Sequence, residues 1–251
     1  MRYKMVFDTE TTDLNQCFCY NVGYLILDSM TQETVLEKNF VVEQIWHNLP
    51  LFESAYYKDK RPLYVQMMKQ RIITMDKWGY IMREMRKDMR EYSIVDAYAY
   101  NSPFDDKVFD YNCDWFKTIN PFETVATHDI WGYASEFITC KPEYKAFCET
   151  NSLFTDTGNY KGSAESVYRF LIGDNSFNEA HIGLQDCQIE RDILLACINL
   201  GAEWDKDYNV QKVLKRPVTH PFTIKVNNKV IYTSTYTKKY IKNDVYNFTE
   251  H

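Results

Sequence analysis

Three short stretches of alternating apolar residues, joined by polar connections, fill the first forty-two positions and fix much of what the chain can become. Tyr3, Met5 and Phe7 share one parity, residues 22–28 are apolar and aromatic, and residues 34–42 again favour Val and Phe. A period of two over such lengths predicts strands, and the short connections imply an antiparallel meander. The period then changes. Met75, Trp78, Met82, Met85 and Met89 recur at spacings of three and four with Arg, Lys and Glu between them. That spacing predicts an amphipathic helix over 74–91 with its methionine stripe in the core. Residues 93–100 read as a fourth strand, and Ser102-Pro103 as an N-cap followed by proline at the first helical position of a helix running to about residue 119. A fifth strand is expected over 125–130 and a short helix over 163–171. Ile189, Ile193, Leu194, Cys197 and Ile198 mark one face of a final helix ending near Gly201. This order of elements predicts an α/β fold, a mixed five-stranded sheet flanked by helices.

Beyond residue 205 the composition shifts. Residues 211–251 carry eight Lys or Arg against Asp244 and Glu250, a balance of +6, so a chain of net charge −6 leaves −12 on the preceding 210 residues. Residues 223–226 and 229–232 flank Asn227-Asn228, which tolerates positive φ, and predict a small C-terminal β-hairpin. The chain therefore reads as a main domain over 1–205 and a basic extension over 206–251. Tyr232, Tyr236 and Tyr240 could stack on unpaired bases from that extension, or belong to a solvated hairpin. An acidic body argues against a broad phosphate-binding surface, but suits a carboxylate cluster neutralised by metal ions.

Other classes are disfavoured. Charge interrupts the N-terminal apolar run too early for a signal peptide, and no stretch approaches a membrane span, so a cytoplasmic protein without a membrane partner is expected. The seven cysteines form no C-x-x-C pair and predict reduced thiols rather than a disulfide framework or a zinc ribbon.

Chemistry is concentrated in three acidic segments. Asp8 and Glu10 lie two apart at the end of the first strand, where side chains two apart leave the same face. Two carboxylates held together repel unless one protonates or a cation lies between them. Asn101-Ser102-Pro103-Phe104-Asp105-Asp106 follows the fourth strand, where Ser102 and Asp105 also have the spacing of a capping box. His181-Ile182-Gly183-Leu184-Gln185-Asp186 enters the last helix, where Asp186 could serve only as a cap. Each segment alone has an ordinary structural explanation.

Together, in this order, FDTETT (7–12), AYNSPFD (99–105) and HIGLQD (181–186) resemble the three exonuclease segments of the DnaQ-like family, over residues 5 to about 200. His128-Asp129-Ile130 and residues 163–167 fall where that family has an Asp after its fifth strand and a short helix before its third segment. His181 stands five residues before Asp186, as in the histidine (DEDDh) subclass, and the stand-alone, tyrosine-rich form looks like nucleases encoded by bacteriophages. The resemblance implies a ribonuclease-H-like fold and 3′-to-5′ exonuclease activity. It also implies that Asp8, Glu10, Asp105 and Asp186 hold two divalent ions, Mg²⁺ or Mn²⁺, with His181 as general base. An unperturbed imidazole, with a pKa of about 6.5, suits that role near neutral pH. Thr9, Thr11 and Leu14 are expected at the terminal nucleotide, Leu14 as an apolar wedge, with Asn101 and Phe104 shaping the site. Asp106 adjoins Asp105 but has the wrong spacing. The expected partner is nucleic acid with a free 3′ end, single-stranded DNA before RNA. The rival from another class is an inactive module that binds nucleic acid or a polymerase.

Overall fold

The computed structural model describes residues 2–14, 16–210, 219–226 and 229–237, the last two ranges as backbone alone. β1 (Tyr3–Thr11), β2 (Cys19–Asp28) and β3 (Thr34–Val42) form the expected meander, each antiparallel to the next. β4 (Thr74–Asp76) adds parallel to β3 at one edge. On the other side β5 (Asp96–Ala99) lies parallel to β1, and β6 (Ala126–Asp129) parallel to β5. The mixed sheet thus has six strands rather than five, in the order β4-β3-β2-β1-β5-β6. Its helices are α1 (Glu43–Trp46), α2 (Leu49–Phe52), α3 (Arg61–Lys69), α4 (Trp78–Glu91), α5 (Ser102–Trp115), α6 (Ile130–Ala134), α7 (Pro142–Thr150), α8 (Ala164–Ile172) and α9 (Gly183–Asn199).

Two boundaries differ from the sequence reading for local reasons. The extra strand takes Met75 out of the methionine stripe, because Thr74, Met75 and Asp76 pair with Phe40, Val41 and Val42 and Lys77 is still extended, so the helix begins at Trp78. α5 stops at Trp115 because Lys117 adopts a left-handed φ of 53°, which a right-handed helix cannot continue. Its N-cap is Asn101, itself left-handed at φ 64°, rather than Ser102.

Strand β1 is buried on both faces, so its two parities serve two cores. Met5 and Phe7 pack with Trp78, Met82 and Met85 of α4 and with Val108 and Phe109 of α5. Val6 faces the other way, into a cluster with Leu25, Tyr98 and the Ile193, Leu194 and Cys197 face of α9. Asp8 and Glu10 share the parity of Val6, so they leave the sheet on the α9 side.

Close approach of α9 to the sheet depends on two glycines. A Cβ on Gly23 of β2 would lie 2.1 Å from the Gly183 carbonyl carbon, and one on Gly183 would lie 2.6 Å from the Gly23 nitrogen. The Gly183 amide donates to Asn21 Oδ1 at 2.8 Å, which fixes the first turn of α9 on the strand. Gly23→Ala is expected to push α9 away and destabilise the protein by about 1–3 kcal/mol, read as a lowered urea midpoint. An unchanged midpoint would show that the approach is not needed.

Among the described residues no helix is long and apolar enough to cross a membrane. β7 (Thr219–Val226) and β8 (Lys229–Thr237) pair antiparallel as a separate two-stranded sheet. The predicted turn at Asn227-Asn228, Tyr240 and the side chains of Tyr232 and Tyr236 lie outside the described residues.

Candidate active site

Strand β1 delivers Asp8 and Glu10 opposite Gly23 and Asn21, just before a register shift that ends regular pairing. Between them Thr9 turns to the α5 side. Its backbone amide donates to Asp105 Oδ1 at 3.1 Å and its hydroxyl to the same oxygen at 2.6 Å. Asp105 is therefore tied to β1 and does not cap its helix, for which no side-chain cap forms. Asp106, one residue on, accepts from the Thr127 hydroxyl at 2.9 Å on β6 and takes no part in this cluster.

The third segment arrives through a strained entrance. His181 has a left-handed φ of 51°, Ile182 is buried, and α9 starts at Gly183 with no side-chain cap. The Asp186 carboxylate accepts from the Ile182 backbone amide at the helix entrance, while its Oδ1 is buried with no hydrogen-bond partner. Asp8 Oδ2 is buried and unpartnered in the same way. Ligand atoms of Glu10, His181 and Asp186 all lie within 4.8 Å of one another. Glu10, His181 and Asp186 are thereby brought to one place, with Asp8 and Asp105 within electrostatic reach of them.

Electrostatics there are hostile to charge. Burial pushes the Asp8 carboxyl well up, and the neighbouring Glu190, Asp105, Asp186 and Glu10 push it further. Burial also raises Asp105, Asp186 and Glu10, although Thr9 opposes the shift on Asp105. The Tyr20 hydroxyl, 3.4 Å from Glu10 Oε2, gives that acid its own donor. Lys60 interacts electrostatically with Glu10 and Asp186, but its Nζ also donates to the Ala180 carbonyl. Buried carboxylates with orphaned oxygens and one shared lysine suit hard divalent cations, which bind through oxygen.

A second group, Asp96, His128 and Asp205, also has ligand-like spacing. There Lys4 Nζ lies 2.8 Å from Asp96 Oδ2 and also pairs with Asp205 Oδ1, while His128 Nδ1 lies 2.8 Å from Asp207 Oδ1. A buried lysine already pairs with both Asp96 and Asp205. That group clasps the segment after α9 to the start of β1 and β5.

The histidine departs from expectation in its electrostatics. Burial and the nearby Lys60 lower its pKa to about 4, so the ring is neutral across the physiological range rather than half-charged near 6.5. It stacks on Tyr57 with ring centroids 3.9 Å apart and planes 15° apart, and its Nδ1 lies 3.8 Å from Glu179 Oε2.

Beside the carboxylates a cleft of about 290 Å³ is lined by Thr9, Glu10, Thr11, Leu14, Tyr57 and Phe104, among others. Leu14 stands at its mouth, 73% exposed, with its carbonyl held by Lys107 Nζ at 3.0 Å. Asn101 does not line this cleft, and its amide donates to Asp129 Oδ1 at 2.8 Å.

Three residues that the sequence reading did not assign also belong here. Tyr57 and Lys60 come from the 46–71 stretch, of which Trp46, Phe52 and Tyr64 are core. Glu190 is buried with one oxygen unpartnered, and it is the charge that weighs most on Asp8. Its signal was an acid four residues after Asp186, on the helical stripe that continues to Ile193 and Cys197.

No family model and no curated protein matches the sequence. Solved structures match the fold. A product-bound exonuclease I superimposes with a TM-score of 0.54 at 12% identity, covering 79% of this chain and 44% of that one. An exonuclease I in complex with SSB-Ct gives a TM-score of 0.55 at 11% identity over 80% of this chain and 42% of the other. The exonuclease I of Methylocaldum szegediense gives 0.53 at 14% identity, covering 79% and 40% of the two chains. The chain spans less than half the length of these structures. The six-stranded sheet with its flanking helices is the ribonuclease-H-like fold.

Proposed function

We propose that the chain is a divalent-metal-dependent 3′-to-5′ exonuclease of the histidine subclass, releasing nucleoside 5′-monophosphates from single-stranded DNA. What supports this reading is that Glu10 and Asp186 offer ligand atoms within 4.8 Å of each other and of His181, with Asp8 and Asp105 in the same field and buried unpartnered oxygens on Asp8 and Asp186. In this reading those four acids hold two ions, Mg²⁺ or Mn²⁺. When bound, such ions activate water and offset charge on the attacking and leaving oxygens at phosphorus.

The chain's own residues supply the rest. Thr9 keeps Asp105 aimed at the cluster through both its amide and its hydroxyl. Leu14 and Phe104 wall the cleft that takes the terminal nucleoside, with Thr9 and Thr11 along its floor. Glu179 Oε2 lies 3.8 Å from Nδ1, and in this reading the other ring nitrogen, Nε2 of His181, accepts the proton of the attacking water. The depressed pKa keeps that nitrogen unprotonated at neutral pH. Tyr57 holds the plane of the ring.

The test is mononucleotide release from a 5′-labelled single strand with Mg²⁺ or Mn²⁺, run beside the matched RNA strand. A ladder shortening from the 3′ end of DNA is expected; preference for the RNA strand would make the enzyme an exoribonuclease, and no release from either would leave a binding module. His181→Ala is expected to cut turnover by about 10²- to 10⁴-fold with binding retained. Turnover equal to the parent would remove the imidazole from proton transfer.

A further inference from the structure

The first turn of α5 separates two concavities. Phe104 lines the cleft described above; three residues earlier, Asn101 lines a second cavity of about 530 Å³, with Tyr100, Trp131, Lys161 and Ser163 around it. Asp105 issues from the same turn, and the Tyr100 amide donates to Glu190, whose charge acts on Asp8, so both concavities adjoin the carboxylates. A strand whose terminal phosphodiester rests on those carboxylates needs room for a nucleoside on each side of the phosphorus. The Leu14 cleft gives one.

We infer that the Tyr100–Trp131–Lys161 cavity is the subsite for the nucleotide immediately 5′ of the bond to be cut. This rests on the exonuclease reading and adds to it the residues that grip the retained strand.

Its chemistry fits a nucleotide. The volume lies in the range of small-molecule pockets. Tyr100 and Trp131 are nearly parallel, 18° apart with centroids at 6.3 Å, and offer aromatic surface for a base. Lys161 is exposed, and among the described residues no ion pair engages it, so its charge is available to a phosphate. Ser163 caps the nine-residue α8, whose N-terminal end also favours negative charge.

The cavity is also rigidly coupled to the reaction centre. Asp129 Oδ1 accepts from the Asn101 amide at 2.8 Å and from the Trp131 amide at 2.9 Å, so one oxygen fixes both the α5 turn and the pocket wall. Tyr100 is held at both ends: its hydroxyl donates to the Gly162 carbonyl at 2.5 Å and its backbone amide to Glu190, beside Asp8. A base gripped there would be placed relative to the carboxylates by covalent geometry and two hydrogen bonds.

The p-nitrophenyl ester of thymidine 5′-monophosphate distinguishes the two sites, because it presents the terminal nucleoside with p-nitrophenol in place of the upstream nucleotide. Trp131→Ala should lower kcat/KM for an oligothymidylate relative to that for the ester by roughly 5- to 150-fold, the worth of one stacked base. Lys161→Ala, at an exposed position that does not threaten folding, should flatten the salt dependence of oligothymidylate binding by about one phosphate contact. Anisotropy of a labelled oligothymidylate in EDTA gives the same comparison without turnover. An unchanged substrate ratio in Trp131→Ala, together with parental salt dependence in Lys161→Ala, would overturn the subsite. An inert wild type whose EDTA binding still weakens in both variants would retain the subsite and sink the exonuclease reading instead.

Discussion

Asp186→Asn is expected to abolish mononucleotide release while making the metal-free protein harder to melt. The loss follows from the proposed role. A carboxylate that holds the ions supports several kcal/mol of charge stabilisation at the transition state, and each 1.36 kcal/mol is tenfold, so turnover should fall by about 10³-fold or more. The gain follows from the packing. Asp186 is buried beside Glu10 and Glu179, within the field of Asp8, with an oxygen that nothing satisfies. Burial raises the Asp186 pKa to about 9, so at pH 8 folding must put a proton on it, and a neutral amide of the same shape removes that cost. Thermal melting in EDTA at pH 8 should therefore move up as activity disappears, a trade in which stability is sacrificed for function. A variant that loses activity and melts lower would identify Asp186 as a structural acid.

Metal and pH should act on the same groups, and here the sign is firm. Asp8, Glu10, Asp105 and Asp186 all have pKa values raised in the folded chain, Asp105 to about 8, with burial as the leading cause. A group that holds its proton more tightly when folded contributes stability that is fully present below its unfolded pKa and is lost as pH rises through the folded value. In EDTA the protein should therefore melt at progressively lower temperature between about pH 4 and pH 9. Divalent ions bind the deprotonated carboxylates, so they should restore stability most at the alkaline end and release protons as they bind. At a metal concentration about 100-fold above Kd, the melting temperature should rise by about 5 to 10 °C at pH 8 and by much less at pH 5.5. Equal shifts at both pH values, or none, would mean that these acids do not take up the ions.

How far the sequence revealed this site depended on which physical signal each residue carried. The strand meander, the parity of Asp8 and Glu10 and the position of Asp186 at a helix entrance follow from periods of two and three-to-four residues. Strand β4 was hidden because Met75 also satisfies the helical spacing, and only its pairing with Val41 decides between them. The capping alternative for Asp105 could not be rejected from spacing alone. Its rejection needs Thr9, ninety-six residues away, to take the carboxylate. Glu190 looked like one more charge on a mixed helix until the sheet buried it behind Asp8. The unusual pKa of His181 arises from Lys60 and from burial, and neither is visible along the chain near residue 181.

Manganese soaked into crystals of the protein, and located by its anomalous scattering, tests the central claim most directly. The account predicts anomalous peaks within coordination distance of Asp8, Glu10, Asp105 and Asp186, and their loss in Asp8→Ala. Peaks confined to the Asp96–His128–Asp205 group, or a carboxylate cluster that stays free of metal at saturating manganese and pH 8, would contradict it.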